Sequence, residues 1–135
     1  MTHSISWEQK GVYTEFDGYV TPREYMTLLE QLCADPRFDS IHYILTNFSK
    51  VDGHGITDGD VEELISIYWA NSLSNRFLLH GLIANNPSMV SLVRHFNSAT
   101  PSGNMFHIFS SLDDARQWLA QEPWNGSKWD HFEVE

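Results

Sequence analysis

Cysteine is nearly absent from the chain. Cys33 stands alone among 135 residues, so no internal disulfide can form and no cysteine pair can ligate a metal. Basic residues are scarce too: 8 Lys and Arg against 18 Asp and Glu give a formal net charge of −10. A field of that sign repels phosphate backbones and anionic bilayers, which excludes nucleic acid and membrane surfaces as expected partners. No apolar run is long enough to span a bilayer. The opening Met1-Thr2-His3-Ser4 lacks the basic stretch and apolar core of a secretory signal. A cytoplasmic protein is expected. Repeats, low-complexity tracts and linkers are missing as well, which leaves one domain, residues 1–122, and a tail, 123–135.

Hydrophobic residues make up 41% of the chain and charged residues 19%, a balance that folds rather than stays disordered. Aromatics reach 13%, with 5 Trp, more than a small core needs. The tail holds Trp124, Trp129 and Phe132. It is expected to pack on its own domain or on a neighbouring subunit, which predicts a homodimer.

Local patterns alternate between strand and helix. Ile5 to Glu8 and Val12 to Phe16 read as a hairpin turning at Lys10-Gly11, with Asp17-Gly18 ending or bulging the second strand. Thr21-Pro22-Arg23-Glu24 supplies a cap, a first-turn proline and an acid. Tyr25, Leu28, Leu29 and Leu32 then share one helical face until Asp35-Pro36. Ile41 to Phe48 is nearly all apolar and predicts a central strand covered on both faces. Ser49 to Ile56 reads as a glycine-bearing loop, and Thr57 caps a second helix with Val61, Leu64, Ile65 and Tyr68 inward. Ile67 and Trp69 fall on its flanks and leave apolar surface over. Phe77 to Ala84 is another buried strand. Asn86-Pro87 opens a third helix through Met89, Leu92, Val93 and Phe96, followed by a loop from Asn97 to Asn104. Met105 to Phe109 is the last strand, before a helix carrying Leu112, Ala115, Trp118 and Leu119. The order β-β-α-β-α-β-α-β-α predicts an α/β domain with a mixed, mostly parallel sheet of about five strands.

Several strings resemble the SpoIIAA-like (STAS-type) family of small bacterial proteins. They are Phe16-Asp17-Gly18-Tyr19-Val20-Thr21-Pro22-Arg23-Glu24-Tyr25, the run from Asp35-Pro36-Arg37 into Tyr43-Ile44-Leu45-Thr46-Asn47-Phe48-Ser49, and Phe109-Ser110-Ser111-Leu112-Asp113-Asp114-Ala115-Arg116-Gln117-Trp118-Leu119. The resemblance covers roughly residues 5 to 120 and implies a SpoIIAA/STAS-like fold. Better understood relatives are anti-anti-sigma proteins, which bind a kinase partner and are switched by phosphorylation of a serine in an Asp-Ser-Ser/Thr-Gly string after the central strand. Here that string is Gly55-Ile56-Thr57-Asp58, without the Asp-Ser pair, and Asn47 stands where many relatives carry an acid. A more distant likeness to lipid-carrying Sec14-type domains implies an apolar pocket.

The residues themselves nominate few sites. A phosphate on Thr57 would meet a helix N-terminus, favoured by its dipole and free N–H groups. Asp52, Asp58 and Asp60 would repel it, and an N-cap role explains Thr57 without it. His42, His80 and His107 each fall in a predicted strand and would matter chemically only if two met at one level. The acids of 52–60 match neither an EF-hand nor a phosphate loop, and no Gly-x-Ser-x-Gly elbow occurs. No metal, cofactor or catalytic group is therefore nominated. The expectation is a non-enzymatic protein-interaction or regulatory module. It would bind a protein partner, or itself, through Ser49, His54, Thr57, Ile67 and Trp69, with Thr57 or Ser49 as candidate phosphorylation positions. The alternative is a small-molecule or lipid carrier with an apolar pocket between sheet and helices.

Overall fold

A computed structural model describes residues 3–75, 78–100 and 106–121. The elements run β1 (His3–Trp7), β2 (Gly11–Val20), α1 (Pro22–Ala34), β3 (Tyr43–His54), α2 (Asp58–Ser72), β4 (Leu79–Ile83), α3 (Pro87–Ala99), β5 (Phe106–Phe109) and α4 (Leu112–Gln121), with a short 3-10 turn at Pro36–Asp39. The order is the one the alternating periodicities predict. β1 to β5 lie side by side in chain order; β1 and β2 are antiparallel and every later pair is parallel. Tyr43 pairs with Leu79 and Asn47 with Ile83, so the two most apolar strands are parallel neighbours.

Period-two alternation divides the side chains between two layers. Val12, Phe16, Ile44, Phe48 and Leu82 face α1, α2 and α3 in the larger core. Phe16 stacks on Phe48 and on Tyr25, with ring centroids 5.5 and 5.2 Å apart. Tyr43, Leu45 and Ile83 face Ala115 and Leu119 of α4 in the smaller one. The caps hold as the sequence indicates. Thr21 accepts the Glu24 N–H at 3.1 Å, Asn86 accepts from Ser88 and Met89, and Thr57 forms a closed capping box with Asp60.

Several boundaries differ from the sequence reading, most of all at the ends of β2, β3 and α3. Residues 49–54 are strand, not loop: β3 continues to His54 because β2 also continues, and Asp17–Val20 pairs with Lys50–His54 across two register shifts. Gly18, at φ +75°, takes the left-handed conformation that a side chain resists, next to a bulge in which β3 carries the extra residue, Asp52, opposite the Gly18–Tyr19 step. α3 runs to Ala99, past the expected loop start at Asn97, whose side chain pairs with both backbone groups of Phe106 (2.6 and 2.7 Å) and so ties α3 to β5. The surplus aromatics also find cover. Trp7 lies under the Arg37 guanidinium at 4.2 Å, and Trp118 packs on Phe109 and His107. The tail 123–135 lies outside the described residues.

Candidate functional site

β2 and β3 outrun their neighbours. β4 ends opposite Asn47, yet β3 continues seven residues further to His54, roughly 20 Å of strand. The projecting two-stranded ribbon is held at its flank by α3, where the Asn86 side chain donates to the Val51 carbonyl at 3.3 Å. From its tip the chain turns into α1 on one side and α2 on the other, and the Gly55 N–H bonds the Val20 carbonyl at 3.0 Å. Two helix N-termini and the carboxyl ends of two parallel strands thus meet here.

Tyr19 dominates the tip. It is 58% exposed, one of two large hydrophobic side chains so placed among the described residues; the other is Leu73 at the far end of α2. Its ring lies across Gly53 and Gly55, where a Cβ on Gly55 would stand 2.9 Å from the Tyr19 hydroxyl. The glycines therefore form a flat seat that fixes the ring while leaving its outer face open. Tyr19 follows the left-handed Gly18 and faces the bulge that Asp52 makes in β3.

The five residues nominated from sequence separate. His54 and Thr57 sit at the tip. His54 is half-buried and accepts the Ile56 N–H on Nδ1 at 3.0 Å, and burial lowers its pKa, so the ring is neutral near pH 7. Thr57 is exposed, but its hydroxyl donates to Asp60 Oδ2 (2.9 Å) and accepts the Asp60 N–H (3.2 Å). Replacing Thr57 by Ala removes that box and should cost about 1 kcal/mol, visible as a lower urea midpoint with an unchanged slope. Ser49 is exposed at the root of the ribbon, its N–H bonded to Asn47 Oδ1 at 2.8 Å. Ile67 and Trp69 lie ten and twelve residues along α2, roughly 15 to 18 Å from Thr57. Both are half-buried, and Ile67 packs on the larger core. The apolar surplus expected there is mostly spent inside the fold, and the two do not join the tip. Tyr19 was not nominated, although a tyrosine directly after Asp-Gly in a strand-like run was the available signal.

A groove of about 310 Å³ runs from the tip between α1 and α2. Pro22, Met26 and Leu64 give it an apolar floor, and Glu30, Asp60 and Glu63 set carboxylates on its walls beside Arg23.

The interior holds a different polar group. Thr14 Oγ1 lies 3.0 Å from Thr46 Oγ1, which lies 3.3 Å from His80 Nε2. His80 is 5% exposed, sits edge-on to Phe106 at 4.7 Å, and among the described residues its Nδ1 has no hydrogen-bond partner. Burial, and secondarily the charge of His107, push its pKa down to about 3. His80 pairs across the sheet with Phe106, and His107 with Gly81, so the two rings lie on opposite faces. His42 precedes β3. No two of the three strand histidines share a level and face. The apolar cavity that His80 lines with Tyr25, Tyr68 and Phe96 measures about 20 Å³. That is room for about one water, whereas a lipid or other drug-sized ligand needs ~300 Å³ or more. The cavity gives no support to the carrier alternative.

On the opposite face of the sheet Arg116 forms a two-pronged pair with Glu8 (2.8 and 2.7 Å), and the Tyr43 hydroxyl donates to the same carboxylate. Tyr13 donates to Glu15 at 2.7 Å and accepts from Asn47 at 2.9 Å. Arg116 holds the Glu8 carboxyl below its usual pKa, and the tyrosine proton does the same for Glu15. These groups satisfy one another and tie α4 to the opening hairpin, a structural rather than a ligand-binding arrangement.

No protein-family model matches the chain, and no curated protein matches its sequence. Solved structures do. The anti-sigma factor antagonist SpoIIAA in its unphosphorylated form superimposes with a TM-score of 0.61 at 11% identity, covering 89% of this chain and 99% of that one. An anti-sigma factor antagonist from Mycobacterium paratuberculosis gives 0.60 at 16% identity, covering 89% and 94%. The chain has a SpoIIAA/STAS-like fold, as the local strings imply. Among the described residues no helix is long and apolar enough to cross a membrane.

Proposed function

We propose that this protein is a non-enzymatic regulatory module that recognises a protein partner through the tip of the β2–β3 ribbon and the first turns of α1 and α2. One observation carries the reading: Tyr19, an aromatic ring open to solvent, follows the left-handed Gly18 and lies against two glycines at the meeting point of two helix N-termini. A rigid aromatic with one face exposed loses little entropy on contact and gains much from burial, the property of interface anchors. The fold supports the same reading, since the structures it resembles are anti-sigma factor antagonists. Phosphorylation of Thr57 would remove the hydroxyl proton given to Asp60 Oδ2 and set a phosphate beside that carboxylate, while Ser49 would accept a phosphate without that cost. Self-association rests on the aromatics of the tail and is read by light scattering, where a homodimer gives twice the monomer mass.

Affinity capture from the native cell tests the proposal. Wild-type protein and the Gln117→Ala variant should both retain one stoichiometric partner, and Tyr19→Ser should lose it. Equal retention by all three would refute a tip interface.

A further inference from the structure

We infer that the α1–α2 groove receives a basic, amphipathic segment of the partner protein, with Lys or Arg against its walls and an aliphatic side chain on its floor. The inference rests on the tip being the contact surface and names the chemistry that surface selects. Three carboxylates, Glu30, Asp60 and Glu63, line the groove against one guanidinium, Arg23. Asp60 is engaged in the Thr57 box. Glu30 and Glu63 are exposed and stand outside the ion pairs of the described residues. Three carboxylates outside the groove do take cations, Glu8 with Arg116, Glu15 with Lys50 and Asp35 with Arg37; Glu30 and Glu63 differ from the other exposed acids in facing one groove across two helices. Like charges on facing helices of a chain already at −10 repel each other, and an incoming ammonium or guanidinium relieves that repulsion.

The floor supplies the second half of the recognition. Met26 and Leu64 come from facing helices, and Pro22 closes the end nearest Tyr19. Methionine adapts its shape to an incoming aliphatic group. An acidic wall over an apolar floor reads a helix or turn with cations three or four residues from a leucine-like anchor, the helix-in-groove mode of recognition. Val20 and Thr21 alone separate Tyr19 from Pro22 in the chain, so the tip and the groove are joined through the start of α1.

The test uses the full chain and a short amidated peptide of leucine and lysine at helical spacing, with a second peptide carrying glutamate for lysine. Affinities are measured by calorimetry for wild type, for the double variant Glu30→Lys/Glu63→Lys, and for Asp113→Lys/Asp114→Lys on α4, which removes the same charge elsewhere. All four positions are exposed, and thermal melts verify that each variant folds. The lysine peptide should bind wild type and the α4 variant alike, and the groove variant about tenfold more weakly; the glutamate peptide should not bind. Equal weakening in both variants would mean attraction to net charge alone and would overturn the inference. So would displacement of the peptide by Mg²⁺ or Ca²⁺ at matched ionic strength, which would assign the carboxylates to a metal. Capture of the native partner separates this claim from the one beneath it. If Tyr19→Ser loses the partner and Glu30→Lys/Glu63→Lys keeps it, the groove assignment fails alone; if neither loses it, the tip interface fails.

Discussion

Acidification from pH 7 to pH 4 will remove about 3 kcal/mol of stability through His80 alone. The sign follows from proton counting. The unfolded histidine titrates near 6.5, and in the fold burial pushes the pKa down to about 3. Between those values the unfolded chain binds a proton that the native chain refuses, so stability is present above pH 6.5 and is lost as the pH falls toward 3. The cause is geometric: the ring lies between Tyr68 and Phe106 and its hydrogen-bond partner among the described residues is the Thr46 hydroxyl, which cannot compensate a buried cation. Glu8 and Glu15, whose pKa values are lowered by their partners, add acid sensitivity below about pH 4.5. The comparison with His80→Leu isolates the histidine. Urea unfolding at a series of pH values should show the variant losing far less stability between pH 6.5 and pH 4 than wild type. Equal slopes would show that His80 is not held neutral inside the fold.

Gly11→Ala should cost about 3 kcal/mol, a large loss for one methyl group. The Tyr43 ring lies flat against Gly11, and a Cβ there would fall among its ring atoms. The ring must move, and its hydroxyl then leaves Glu8, the carboxylate that also anchors Arg116 of α4. Overpacking and a lost charge-assisted hydrogen bond thus act together. Gly59→Ala provides the contrast. It lies in the exposed first turn of α2, where a Cβ has ordinary room, and there the substitution should stabilise by about 0.5 kcal/mol. Denaturant midpoints of the two variants should move in opposite directions; a neutral Gly11→Ala would mean that Tyr43 is free to repack.

Much of this architecture is legible in the chain because it rests on local causes. Thr21, Thr57 and Asn86 announce helices by their own hydrogen-bonding chemistry, and Tyr25, Leu28, Leu29 and Leu32 mark a face by spacing alone. The extension of β3 is not legible in that way. Ser49, Lys50, Asp52 and Gly53 carry poor strand propensity, and Val51 alone among residues 49 to 54 is buried. They become strand because Asp17–Val20 lies alongside, and pairing between segments some 30 residues apart leaves no periodic trace. The same limit hid Tyr19. Its prominence depends on the left-handed conformation of Gly18 and on Gly53 and Gly55 arriving beneath it from β3 and the turn that follows. His54 and Thr57 stand out in the chain because they flank a cap, and the structure sets both at the tip. Ile67 looks surplus on a helical flank until the core it packs against is seen.

The contact surface itself can be read in the native cell. A photo-reactive phenylalanine analogue at position 19 and, separately, at position 117 on α4 would be irradiated and the adducts identified by mass spectrometry. The tip interface predicts one dominant protein adduct at 19 and none at 117. Adducts at 117 without any at 19 would contradict it.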